Sequence, residues 1–76
     1  MRSRGEGVRS DVRRYRRLHD LTQEELGERV GVTRQTIISI EGGRYNPSVG
    51  LALRLAGTLG VPVEALFQLV RERSDG

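Results

Sequence analysis

Seventy-six residues with a formal charge of +3 provide for one small domain and no second core. Counted with the ten glycines and without the two tyrosines, apolar residues make up close to half of the chain, an ordinary globular share that argues against disorder, and no apolar run approaches the length of a bilayer span. Cysteine is absent, which excludes disulfides, thiolate metal sites and thiol catalysis, and the lone histidine, His19, cannot build a metal site by itself.

All 13 basic residues are arginine. Residues 1–17 carry seven of them against two acids, and residues 18–76 carry six against eight. A basic leading segment suits a polyanionic partner. A solvated helix face with a loose tail would carry the same charge. The opening Met-Arg-Ser-Arg-Gly-Glu-Gly is basic but no apolar signal core follows it, so a cytoplasmic, cofactor-free module is expected.

In chain order, residues 1–7 are polar and aperiodic and read as a mobile arm, followed by one domain over 8–73 and a tail over 74–76. A first helix is expected from about Ser10 to Leu18, with Ser10 as N-cap and Val12 and Tyr15 facing inward. Thr22-Gln23-Glu24-Glu25 is a capping box that opens a second helix. This helix buries Leu26 and Val30 and stops at Gly31, a left-handed C′ position. Val32 packs inward, and Thr33 caps a third helix over 33–41 that Gly42-Gly43 ends. Asn46-Pro47-Ser48 opens a fourth helix, with Pro47 at N1. Its stripe is Leu51, Ala52, Leu55, Ala56 and Leu59, and Gly60 stops it. Val61-Pro62 starts a short fifth helix carrying Leu66 and Phe67. Residues 67–72 fit either its continuation or a short strand, which periodicity does not separate.

Two short helices around a glycine turn follow the helix-turn-helix plan, here over 22–41, in which the second helix enters the major groove. With Ile37 and Ile40 inward, Gln35 and Ser39 point outward, flanked by Thr36 and Ile38, with Arg34 in the first turn. Arg suits guanine, Gln suits adenine, and hydroxyls suit either. Ile38, read as exposed, fits a thymine methyl or a plain surface position.

Leu-Thr-Gln-Glu-Glu-Leu, Thr-Arg-Gln-Thr-Ile, Glu-Gly-Gly-Arg-Tyr-Asn-Pro-Ser and Leu-Gly-Val-Pro, within residues 21–67, resemble the Cro/phage-repressor (XRE-type) helix-turn-helix family, in particular its compact stand-alone bacterial repressors. The resemblance implies an all-α, five-helix, lambda-repressor-like domain. In some compact members a two-stranded sheet joins the terminal segments, here Val8-Arg9 and Phe67–Arg71. It also implies a homodimeric repressor of a pseudo-palindromic double-stranded DNA operator. By position, Thr33, Arg34, Gln35 and Ser39 match the base-reading residues. Gln23, Thr36, Arg44, Tyr45 and Asn46 match backbone contacts, and Arg16 with Glu41 matches a structural ion pair. The family prefers alanine where this chain has Gly27; glycine there permits close helix approach, and a loss of about 0.5–1 kcal/mol in stability relative to alanine is expected.

Among the remaining residues, Arg2 and Arg4 fit a minor-groove arm, though an untethered terminus is commoner. Arg13, Arg14 and Arg17 fit phosphate contacts if they face the duplex. His19 suits a helix C-terminus. Leu53, Leu69, Phe67 and Val63 fit an isologous dimer patch or a greasy surface. An enzyme fails on inventory, since no lysine, no cysteine and no phosphate-cradling glycine loop is present. No membrane partner and no effector domain are expected. The competing class is an antitoxin-like protein-interaction adaptor on the same fold.

Overall fold

The computed structural model describes residues 6–71, and the Arg2/Arg4 arm and the 74–76 tail lie outside the described residues. The elements run β1 (Glu6–Ser10), α1 (Val12–Leu18), α2 (Gln23–Val30), α3 (Arg34–Glu41), α4 (Val49–Leu59), α5 (Val63–Leu66) and β2 (Phe67–Arg71). Five helices and a two-stranded antiparallel sheet thus make up the architecture that the sequence resemblance implies.

The helix ends follow local chemistry. Thr22 Oγ1 accepts from the Glu25 N–H at 3.0 Å while Glu25 Oε1 accepts from the Thr22 N–H at 2.8 Å, which completes the capping box. Gly31, with φ at +82°, closes α2 in the left-handed conformation that a Cβ would penalise. Thr33 caps α3 through the Thr36 N–H, and Ser48 caps α4 through the Leu51 N–H.

Two expected starts move. Ser10 is the last residue of β1, and the N-cap of α1 is Asp11. Ser10 Oγ still accepts from the Val12 N–H at 3.3 Å, so the hydroxyl serves the helix from one position outside. Pro47 precedes the Ser48 cap instead of occupying N1, because the serine hydroxyl supplies the bond that proline cannot. Pro62 is the N-cap of the four-residue α5.

Phe67–Arg71 is a strand. It pairs with β1 in the register Glu6↔Arg71, Val8↔Leu69 and Ser10↔Phe67. The strand β1 therefore begins at Glu6 and takes in two residues assigned by sequence to the arm. The Asp11 N–H donates to the Leu66 carbonyl at 2.8 Å, which extends the pairing into the α1 and α5 boundaries.

The core is Val12, Leu21, Leu26, Val30, Ile37, Ile40, Leu51, Leu55, Ala56, Leu59 and Leu66, with Tyr15, Val32 and Phe67 packed against it. Polar side chains tie the elements at their ends. His19 Nε2 donates to the Leu59 carbonyl at 2.8 Å, linking the end of α1 to the end of α4. Arg54 Nε donates to the Val30 carbonyl at 3.1 Å and so satisfies a terminal acceptor of α2.

At Gly27 the expected close approach is present, to the turn backbone and not to a helix, and it overturns the expected loss of stability. A Cβ built there would lie 2.7 Å from the Val32 carbonyl oxygen, a backbone atom that cannot swing aside. The Gly27 carbonyl accepts from the Gly31 and Val32 N–H groups at 2.8 and 2.9 Å, so the turn folds tightly back over this residue. Helix propensity alone favours alanine here, but the close approach of the turn requires glycine.

Candidate nucleic-acid interface

The cap at Thr33 sets the start of α3 and hence which side chains leave the protein. Ile37 and Ile40 are buried, which turns Gln35 outward, with Thr36 and Ser39 at the margin. Ile38 is half-buried and not the exposed side chain expected, because the margin of α3 packs more closely than an isolated helical projection implies.

The end of α3 brings a second segment to the same place. Gly43, at φ +75°, reverses the chain, and the Arg44 N–H donates to the Ser39 carbonyl at 2.9 Å. As a result Gln35, Thr36, Ser39, Arg44 and Tyr45 surround one open depression of about 300 Å³. Two stretches assigned separately from sequence meet there. Asn46 lies beside them but lines a different groove, with Val8, Pro47 and Val49 among its neighbours. Arg34 and Thr33 are exposed at the start of the helix. The Thr33 hydroxyl is engaged by its cap and lies 3.3 Å from Thr36 Oγ1.

Glu41 anchors the far end of α3. Arg16 Nε donates to its Oε2 at 2.7 Å and Arg16 Nη2 to its Oε1 at 3.1 Å, a bidentate pair with no solvent exposure at the carboxylate. Arg16 Nη1 also donates to the Leu21 carbonyl at 2.9 Å. Burial pushes the Glu41 carboxyl up, but the bonds from Arg16, Gln23 and Arg13 and the Arg16 charge outweigh it and hold it below its ordinary value.

Gln23 belongs to this cluster, since its Nε2 donates to Glu41 Oε1 at 3.1 Å. The first residue of α2 is therefore fastened to the last residue of α3. Arg13, grouped by sequence only with the other surface arginines of α1, is the addition. Its Nε donates to Glu41 Oε1 at 3.4 Å. Its i, i+3 spacing from Arg16 was the available signal, because that spacing puts both on one helix face.

A helix-turn-helix family model matches residues 12–66. An HTH-type transcriptional regulator from Methanocaldococcus jannaschii is 48% identical over 60 residues, which cover 79% of this chain and 91% of that protein. The immunity repressor protein of Bacillus phage phi105 is 36% identical over 55 residues, covering 72% of this chain and 38% of the phage protein. Among solved structures, the hypothetical transcription factor NHTF from Neisseria superposes with a TM-score of 0.64 at 28% identity. That match covers 70% of this chain and 61% of the Neisseria chain. The matched segment thus covers less than two thirds of both the phage protein and the Neisseria factor, but most of the Methanocaldococcus regulator.

Proposed function

The chain belongs to the helix-turn-helix family of the Cro/phage-repressor (XRE) type, the family of HTH transcriptional regulators, and from that premise we propose that it is a homodimeric, sequence-specific repressor. It reads a pseudo-palindromic operator with α3 in the major groove. The observation that carries the reading is the shared depression, in which Gln35, Thr36 and Ser39 of α3 stand with Arg44 and Tyr45 of the following loop. Amide and hydroxyl groups that suit base edges are thereby set beside a guanidinium and a phenol that suit the phosphate backbone.

Thr33, Arg34, Gln35 and Ser39 read bases in this proposal. Gln23, Thr36, Arg44, Tyr45 and Asn46 hold the backbone, and Arg16 with Glu41 keeps α1 and α3 in register. The similarity to a phage immunity repressor supports repression as the sign of regulation. The protein acts without a cofactor or catalysis, in the cytoplasm, at the nucleoid.

A second copy supplies the second half-site. The groove beside Asn46 encloses about 300 Å³ and is lined mainly by Val8, Pro47, Val49, Ala52, Val63 and Phe67. Phe67 and Leu69 share one face of β2, and Val8 stands opposite Leu69. Val49, which lines the groove, is 76% exposed, and Leu53, one turn further along α4, and Leu69 are 56% and 69% exposed. That surface is the proposed dimer face.

Selection of bound duplexes from a random library, repeated with Arg34→Ala and Gln35→Ala proteins at fixed salt, tests the reading. The expected result is an inverted repeat whose preference relaxes at defined positions in each variant. Salt-sensitive binding with no enriched sequence would overturn it and favour the protein-interaction adaptor.

A further inference from the structure

Arg13 stands one turn before Arg16 on α1, and its Nε shares Glu41 Oε1 with Gln23 Nε2, at 3.4 and 3.1 Å. The carboxylate is already matched by Arg16, whose two donors sit at 2.7 and 3.1 Å. Two guanidinium groups on one carboxylate leave a net positive charge. That excess lies toward water on Arg13, whose side chain is 52% exposed against 10% for Arg16.

Among the described residues, Arg13 donates to the protein through Nε alone, which leaves both terminal nitrogens able to take an anion. An open depression of about 430 Å³ lies against it, with Arg14 and Arg17 also on its wall. The Arg14 guanidinium is placed over the Tyr15 ring, 5.5 Å from its centroid. Of the three, Arg13 is the one whose direction is fixed by a buried group that also fixes Gln23.

We propose that Arg13 binds a backbone phosphate of the duplex, adjacent to the one met by Gln23, with Glu41 as the brace that aims both donors. The contact rests on the DNA-reading function above and adds to it a phosphate outside the bases that α3 touches. It strengthens binding without reading sequence. An oxygen of a phosphate diester accepts a bidentate or single bond from the free Nη groups, and no covalent step is involved.

The test is a salt titration of binding to the selected inverted repeat, with wild type, Arg13→Gln and Arg13→Lys. Each phosphate contact contributes about −0.9 to the slope of log affinity against log salt. Between about 50 and 200 mM salt, wild type should therefore lose about 3.5-fold more affinity than Arg13→Gln for each half-site. Arg13→Lys keeps the charge and should restore the slope, and the enriched sequence should be the same for all three proteins. Thermal melting without DNA separates a structural loss, which lowers the melting midpoint and leaves the slope alone. Substitution of single phosphates by neutral methylphosphonates then locates the contact, as the position that weakens wild type and leaves Arg13→Gln unaffected. Wild-type binding to the repeat with an unchanged Arg13→Gln slope overturns this contact and leaves the regulator reading standing. No binding by wild type overturns both.

Discussion

Glu41 keeps its charge in a place without solvent because four donor bonds reach its two oxygens. Its carboxyl is held below the ordinary value near 4.5, so as the pH falls the unfolded chain takes up this proton before the folded one does. The stability it contributes is complete above the unfolded pKa and is lost as the pH drops through the folded pKa. Melting midpoints measured from pH 7 downward should therefore fall below about pH 4.5. Glu41→Gln should flatten that fall and, by stranding the buried Arg16, cost about 3–5 kcal/mol at neutral pH. An acid profile in the variant as steep as in wild type would assign the dependence to other carboxylates. Two glycines make a second, smaller contrast. Gly57, inside α4, has nothing near its missing Cβ, and Gly57→Ala should stabilise by about 0.5–1 kcal/mol. Gly27→Ala drives a methyl into the Val32 carbonyl and should destabilise by about 1–3 kcal/mol. Urea unfolding of both variants checks the opposite signs, and a gain at Gly27 would mean that the turn can open.

At the scale of elements, the parts readable from sequence are those that local chemistry decides. The Thr22/Glu25 box, the Gly31 and Gly60 stops and the Thr33 cap each involve residues within a few positions of one another, so α2, α3 and the end of α4 were legible with their inward faces. The box carries a prediction of its own. Thr22→Ala removes the acceptor for the Glu25 N–H and should cost about 1 kcal/mol, read as a shift in the urea midpoint at unchanged slope. An unchanged midpoint would show that tertiary packing alone sets the start of α2. What sequence left open depends on distant partners. Phe67–Arg71 alternates in a way that suits strand or helix, and its state is decided by pairing with Glu6–Ser10, about sixty positions away. The same pairing takes Ser10 out of the helix and leaves Asp11 as its cap. Gly27 misled for a related reason, since propensity describes one helix and the contact at issue belongs to the turn beyond it. Within the site, the outward set on α3 was legible from the burial of Ile37 and Ile40. That Arg44 and Tyr45 would share its depression was not, because the left-handed Gly43 directs the loop.

For the whole molecule, one eight-residue recognition helix is about 12 Å long and spans only a few base pairs. The proposed homodimer sets two such helices about 34 Å apart by a two-fold axis, which is what typical operator affinity asks for. The exposed Val49, Leu53 and Leu69, with the groove that Val49 lines, form the proposed surface for that axis. Leu53 is a useful probe because it is more than half exposed and outside the core, so a charge there should leave folding intact. Leu53→Glu, facing its own copy across an isologous contact, places two carboxylates in one apolar interface. Sedimentation should then give the 8.5 kDa of a single chain where wild type gives twice that mass. Circular dichroism should be unchanged, and affinity for the inverted repeat should fall to that for an isolated half-site. A Leu53→Glu protein that still sediments as a dimer would move the axis to another face. A wild type that stays at 8.5 kDa and binds both half-sites independently would remove the homodimer from the proposed function, and the inverted repeat would lose its structural explanation.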